Sequence, residues 1–190
     1  MPVHGRAELQ RIAGLLKPFA VMRTLFAGGL VLEPQVAAHA EAMFVVLSDP
    51  AIYEYENEPP WSVNELRERF AALESRVSPN GKEQWLNWVV RLPDGQLAGY
   101  VQATVRSGGK ATIAYEFASA FWGRGHARRS LEAMISELAE GYGVSEFSAV
   151  LKQVNHRSLR LLERLGFTMA TAEVHALREV ERDEHLMWRR

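Results

Sequence analysis

Cysteine is missing from this 190-residue chain. Disulfides, thiolate nucleophiles and cysteine-ligated metals are thereby excluded, and the lack is compatible with a cytoplasmic protein. No apolar run approaches the ~20 residues that span a membrane as a helix, so no membrane partner is expected. An excess of positive charge is also lacking. The 22 Lys and Arg residues stand against 23 Asp and Glu, for a formal net charge of −1. The whole molecule is therefore no electrostatic binder of nucleic acid. No pair of histidines or carboxylates has a metal-ligand spacing, so no metal is expected. Internal repeats, low-complexity segments and interdomain linkers are absent as well.

What remains is an ordinary globular composition, 47% hydrophobic and 24% charged, long enough for one domain with a substantial core. Arg6, Arg11, Lys17 and Arg23 are set among Leu9, Ile12, Leu15, Leu16 and Phe19. A targeting presequence can look like this. The favoured reading is an amphipathic helical extension, residues 1–23, packed on the domain or on a second subunit of a homodimer. Residues 24–190 are then the domain proper.

The periodicity predicts a helix over Ala7–Leu16 and a short strand at Leu30–Leu32. A helix is expected from Pro34 to Leu47, with Pro34 near its start. Tyr53 to Trp61 is acidic, aromatic and proline-containing, hence a loop. Ser62 and Glu65 then form a capping box that opens a further helix. From Leu86 the period changes to two. Leu86–Leu92, Leu97–Arg106 and Ala111–Ala118 alternate, with turns at Pro93-Asp94-Gly95 and Ser107-Gly108-Gly109. Turns this short cannot make parallel crossovers, so the three strands form an antiparallel meander.

Next comes Trp122-Gly123-Arg124-Gly125-His126-Ala127, followed by an amphipathic run from Arg128 to Leu138. Strand, glycine turn and helix in that order place unpaired backbone N–H groups, and the positive end of a helix dipole, at one point. That is an anion site suited to a pyrophosphate. A Walker nucleotide loop is excluded, since no Gly-Lys-Ser/Thr follows. A strand at Phe147–Leu151 makes a right-handed parallel crossover. A helix over Asn155–Leu165, closed by Gly166, and strands at Phe167–Ala176 and His185–Arg189 complete the chain.

This order resembles the GNAT superfamily of acyl-CoA-dependent N-acetyltransferases. The family's phosphate loop has the form Gln/Arg-x-x-Gly-x-Gly/Ala, here Trp122 to Ala127 with tryptophan in first place. That tryptophan, preceded by Ile113-Ala114-Tyr115, is similar to the branch that acetylates ribosomal-protein N-termini. The family's second element is matched by Asn155, Ser158, Leu161 and Gly166-Phe167. The resemblance implies a mixed α/β fold with a mostly antiparallel central sheet and helices on both faces. It also implies acetyl-CoA as co-substrate and a primary amine as acceptor, either a protein N-terminus or an amine-bearing small molecule.

By the same resemblance, backbone groups from Gly123, Arg124, Gly125, His126, Ala127 and Arg128 hold the pyrophosphate. Phe117 and Ala118 lie nearest the pantetheine arm, and Asn155 orients that arm or caps its helix. The family's tyrosine acid falls on Leu162, and its early strand carboxylate falls among Lys110, Ala111 and Thr112. That acid–base pair therefore does not carry over. Ser158 could hydrogen-bond the leaving thiolate, or only its own helix backbone. Glu116 could relay an amine proton, or be a solvated strand glutamate. Tyr53, Glu54, Tyr55, Glu56 and Glu58 fall where the family places an acceptor loop. The rival expectation, motivated by the missing acid and base, is a noncatalytic acyl-CoA-binding module.

Overall fold

The computed structural model describes residues 21–55, 57–171, 174–175 and 180–190. The helix expected at Ala7–Leu16 lies outside these residues. The sheet begins one strand earlier than the sequence pattern suggests. β1 (Leu25–Ala27) and β2 (Leu30–Pro34) form an antiparallel hairpin across Gly28-Gly29. Pro34 closes β2 as its last residue, instead of opening the next helix. A 3-10 turn at Ala37–His39 leads into α1 (Ala40–Leu47), and a second at Pro50–Tyr53 begins the acidic loop. α2 (Val63–Leu73) starts where the sequence predicts it, with the Ser62 hydroxyl accepting the Glu65 N–H at 3.1 Å.

The meander is present as β3 (Glu83–Arg91), β4 (Leu97–Arg106) and β5 (Lys110–Phe117), each antiparallel to the next. α3 (His126–Tyr142) returns the chain to β6 (Glu146–Lys152), which runs parallel to β5. α4 (His156–Arg164), β7 (Thr168–Met169) and β8 (Glu184–Arg189) follow. Among the described residues, the strand expected over Phe167–Ala176 is reduced to the two of β7; residues 172, 173 and 176 of that stretch lie outside them. Both β7 residues are exposed on a sheet edge, so no buried alternating face extends the pairing. Strand order among the described residues is β1-β2-β3-β4-β5-β6-β8-β7, with β5–β6 the one parallel neighbour pair.

Helices cover both sheet faces. Met43, Leu47, Leu66 and Phe70 of α1 and α2 pack on Val89 and Leu97. Leu131, Met134 and Leu138 of α3 pack with Leu86, Trp88 and Val90 on a second, larger core. Such side chains contribute about 1.5–3 kcal/mol each on full burial. Val89 and Asn87 are buried as fully as their neighbours, because helices lie on both sides of β3. No helix among the described residues is long and apolar enough to cross a membrane.

One local feature positions the site. β5 and β6 pair at only three registers, Lys110↔Glu146, Ala111↔Phe147 and Thr112↔Ser148. Hydroxyls of Thr112 and Ser148 close that end, 3.1 Å apart. Beyond them the strands part, leaving a fork in the middle of the sheet.

Candidate active site

The fork joins two cavities. The first, of about 510 Å³, lies against the sheet and α2 and is entered past the acidic loop through Tyr53, Tyr55, Asn57 and Glu58. The second, of about 500 Å³, runs from Trp122 and the glycine turn to α4. Both are lined by Tyr115, Glu116, Asn155 and Ser158. Asp49 ties the two mouths together. One carboxylate oxygen accepts the Ala51 N–H at 3.0 Å, the other the Ser119 N–H at 2.6 Å, just after β5.

The glycine turn has the geometry its sequence demands. Gly123 and Gly125 have φ of 73° and 74°, in the left-handed region that side chains disfavour. Gly125 is the N-cap of α3, and the first bond of that helix runs from Arg129 N–H to the Gly125 carbonyl. The N–H groups of His126, Ala127 and Arg128 precede it and have no intrahelical acceptor. His126 Nδ1 lies 3.0 Å from the Arg129 guanidinium, which can only donate. The imidazole is therefore an acceptor at Nδ1 and a donor at Nε2. Burial, reinforced by Arg129 and Arg124, lowers its pKa and keeps that neutral form. Arg128, Arg157, Arg160 and Arg164 line the same cavity. Arg124 turns away and lies over the Phe121 ring at 5.9 Å.

Trp122 locks the turn to the strand. Its indole N–H donates to the Phe117 carbonyl at 2.7 Å, and the Arg157 guanidinium sits 3.5 Å above its ring. The Ala118 N–H donates to Ala98 on β4. Alternation then turns the Phe117 N–H toward the fork. Ala118 itself packs in the core under α1 and α2, behind the cavity wall.

At the bottom of the fork, the Tyr115 and Ser158 hydroxyls are 2.5 Å apart. Burial pushes the Tyr115 phenol up to about 12, so it remains a donor at neutral pH. Asn155 caps α4, its side-chain oxygen accepting the Ser158 N–H at 3.0 Å. Glu116 occupies the opposite face of β5. It faces Asn57, whose amide nitrogen is 3.5 Å away, and raises the pKa of Tyr100 and Tyr53, both already raised by burial. Glu116 is therefore half-buried at the junction of the cavities, and not a fully solvated strand residue.

A glycine turn opening a helix, beside two strands that part in mid-sheet, is a distinctive combination. A family model described as an acetyltransferase (GNAT) domain matches residues 29–168. The chain belongs to the GNAT acetyltransferase family. It is 24% identical over 149 residues to an uncharacterized N-acetyltransferase, p20, of Bacillus licheniformis, covering 77% of this chain and 83% of that one. Its fold is similar to that of RimL, a ribosomal α-N-protein acetyltransferase solved with coenzyme A, at TM-score 0.71 and 16% identity, covering 88% and 97% of the two chains. The microcin self-immunity acetyltransferase MccE, solved with acetyl-CoA and AMP, matches at TM-score 0.70 and 17% identity over 85% and 92%.

Two site residues of this GNAT chain escape the sequence pattern. Tyr115 is legible as part of a motif, yet nothing in the sequence pairs it with Ser158. Gly99 carries no motif at all. A Cβ there would lie 2.1 Å from the Glu116 carbonyl oxygen and 2.7 Å from Phe117 Cα. Only glycine lets β4 approach β5 this closely at the fork.

Proposed function

We propose that this GNAT protein moves an acetyl group from acetyl-CoA directly onto a primary amine. The observation that carries this reading is the meeting of two cavities at Tyr115, Glu116 and Ser158, one past an anion-binding turn and the other past an acidic loop. Acetyl-CoA, when bound, supplies an activated acetyl group and a thiolate as leaving group. The residues present suit it. The turn from Gly123 to Arg128 would hold the pyrophosphate through backbone N–H groups, with the His126 Nε2–H as a further donor. The Phe117 N–H and the Asn155 amide would hold the amides of the arm.

Glu116 attracts the cationic acceptor and takes one ammonium proton, which frees the nitrogen lone pair; as that lone pair bonds to the acetyl carbon, the nitrogen's second proton leaves to solvent. Ser158 donates a hydrogen bond to the sulfur as the carbon–sulfur bond breaks and the electron pair stays on sulfur. Tyr115 donates to Ser158 and so keeps that hydroxyl turned outward; solvent then protonates the thiolate. The reading is tested by following free thiol release with a panel of amines, including peptide N-termini. Thiol should appear in step with acetylated amine. Tight coenzyme A binding without thiol release for any amine would leave a noncatalytic acyl-CoA-binding module instead.

A further inference from the structure

The floor of the first cavity carries a row of amides across the sheet. Pro34 pairs with Trp88, and the Gln35 N–H donates to the Asn87 carbonyl at 2.9 Å, which sets Gln35 opposite Asn87. Asn87 pairs with Gln102, and Gln102 with Ala114. All four line the cavity. Gln35 is 3% exposed and Asn87 5%. The Gln35 Nε2 is buried without a hydrogen-bond partner among the described residues, and the Asn87 amide makes only a long 3.4 Å bond to the Trp85 carbonyl. A core stabilised by packing alone would leave such donors out, because each costs free energy while unmet. The row ends at Ala114, an exposed small residue beside Glu116 at the fork.

We infer that this amide row is a subsite for the backbone of a peptide acceptor, running from the fork to Gln35. The inference rests on the acyl-transfer reading above and names its substrate class. Primary amides both donate and accept, as peptide groups do, and carry no charge that would select an acidic or basic body. The length agrees. Three strand spacings of ~4.8 Å separate Ala114 from Gln35, roughly 14 Å, which an extended chain covers in about four residues. A single amino acid or a short alkylamine with its nitrogen at the fork cannot reach the unmet Gln35 donor.

The test compares acceptors of one N-terminal residue and increasing length, from the amino acid amide to the tetrapeptide amide. In the unaltered protein kcat/KM should rise at least about tenfold from the first to the last, the worth of one or two hydrogen bonds to buried groups. In Gln35→Met, which keeps the side-chain volume, the tetrapeptide's advantage should fall toward unity, with the change in KM. Thermal unfolding of Gln35→Met should match or exceed that of the parent, since an unmet donor is gone. Equal kcat/KM at every length, or an advantage that survives Gln35→Met, overturns the subsite. If no amine releases thiol, the acyl-transfer reading fails by itself. Calorimetry of the tetrapeptide amide on the coenzyme A complex then decides the subsite alone. Binding weakened about tenfold by Gln35→Met supports it, and no binding overturns it.

Discussion

The hydroxyls of Tyr115 and Ser158 meet at 2.5 Å across 43 residues of sequence, one from strand β5 and one from helix α4. The pair puts a phenol where the acid position on α4 itself is occupied by Leu162, which is buried. If both hydroxyls serve the leaving sulfur, they act as one unit. Tyr115→Phe and Ser158→Ala should each lower kcat about tenfold, and the double variant should be little worse than either. Coenzyme A affinity should stay within a factor of about two in all three. Full additivity in steady-state kinetics would separate the two residues.

The same phenol makes a prediction about stability. Tyr115 stays protonated in the folded chain up to about pH 12, whereas an unfolded tyrosine ionises near pH ~10. Its contribution is therefore complete below about pH 10 and is lost as pH rises from there toward 12. Tyr115→Phe should flatten the alkaline fall in unfolding free energy. Denaturant titrations at about pH 9 and about pH 11, either side of that ~10, measure the difference; an unchanged slope would contradict the buried, neutral phenol.

Glu116 should matter most where the amine is charged. Alkylammonium groups have pKa ~10.4 and α-amino groups ~8, so near neutral pH the second is the better acceptor. Glu116→Gln should lower kcat/KM about tenfold near pH 7. The deficit should shrink as pH passes the amine's own pKa, because the amine then arrives without the proton that Glu116 removes before attack. A deficit independent of pH would restrict Glu116 to holding the acceptor in place.

Gly125→Val places a branched side chain at φ 74°, with its Cβ 3.3 Å from the Arg129 guanidinium. The left-handed conformation costs about 1–2 kcal/mol for an ordinary residue. The fold should survive and coenzyme A binding should fall at least a hundredfold, on the order of the loss of two or more charge-assisted bonds, as read by calorimetry. Near-normal affinity in a folded variant would remove the turn as the pyrophosphate site.

Gly99→Ala acts from the neighbouring strand. The added methyl must push β5 at Glu116 and Phe117, where the fork opens. Overpacking of this kind costs about 1–3 kcal/mol. The melting temperature should fall and KM for both substrates should rise together. An unchanged KM would show that the strand absorbs the methyl elsewhere.

Much of this was legible beforehand. The meander, the glycine turn and the α4 cap depend on period, turn chemistry and side-chain hydrogen bonding close in sequence, and each lies within a residue or two of its expected place. The misses share a physical cause. β1 is three residues long, too short to show a period. β7 has no buried face to imprint one. Pro34 suits a helix start and a strand end equally. At the site, the pairing of Tyr115 with Ser158, the direction of Glu116 and the crowding at Gly99 arise from strand registers and helix docking, which no local pattern encodes.

The three-register seam between β5 and β6 also bears on how the molecule coheres. Past Thr112 and Ser148, the half of the sheet that ends at β5 and the half that begins at β6 share no ladder. An amide-bearing arm laid in that gap would supply the missing rungs. The co-substrate would then act as a removable strand that sutures two half-sheets, and thermal stability would report its occupancy. At a hundred times Kd the gain is about 2.7 kcal/mol, concentrated in β6, α4 and β8, the elements on the far side of the seam.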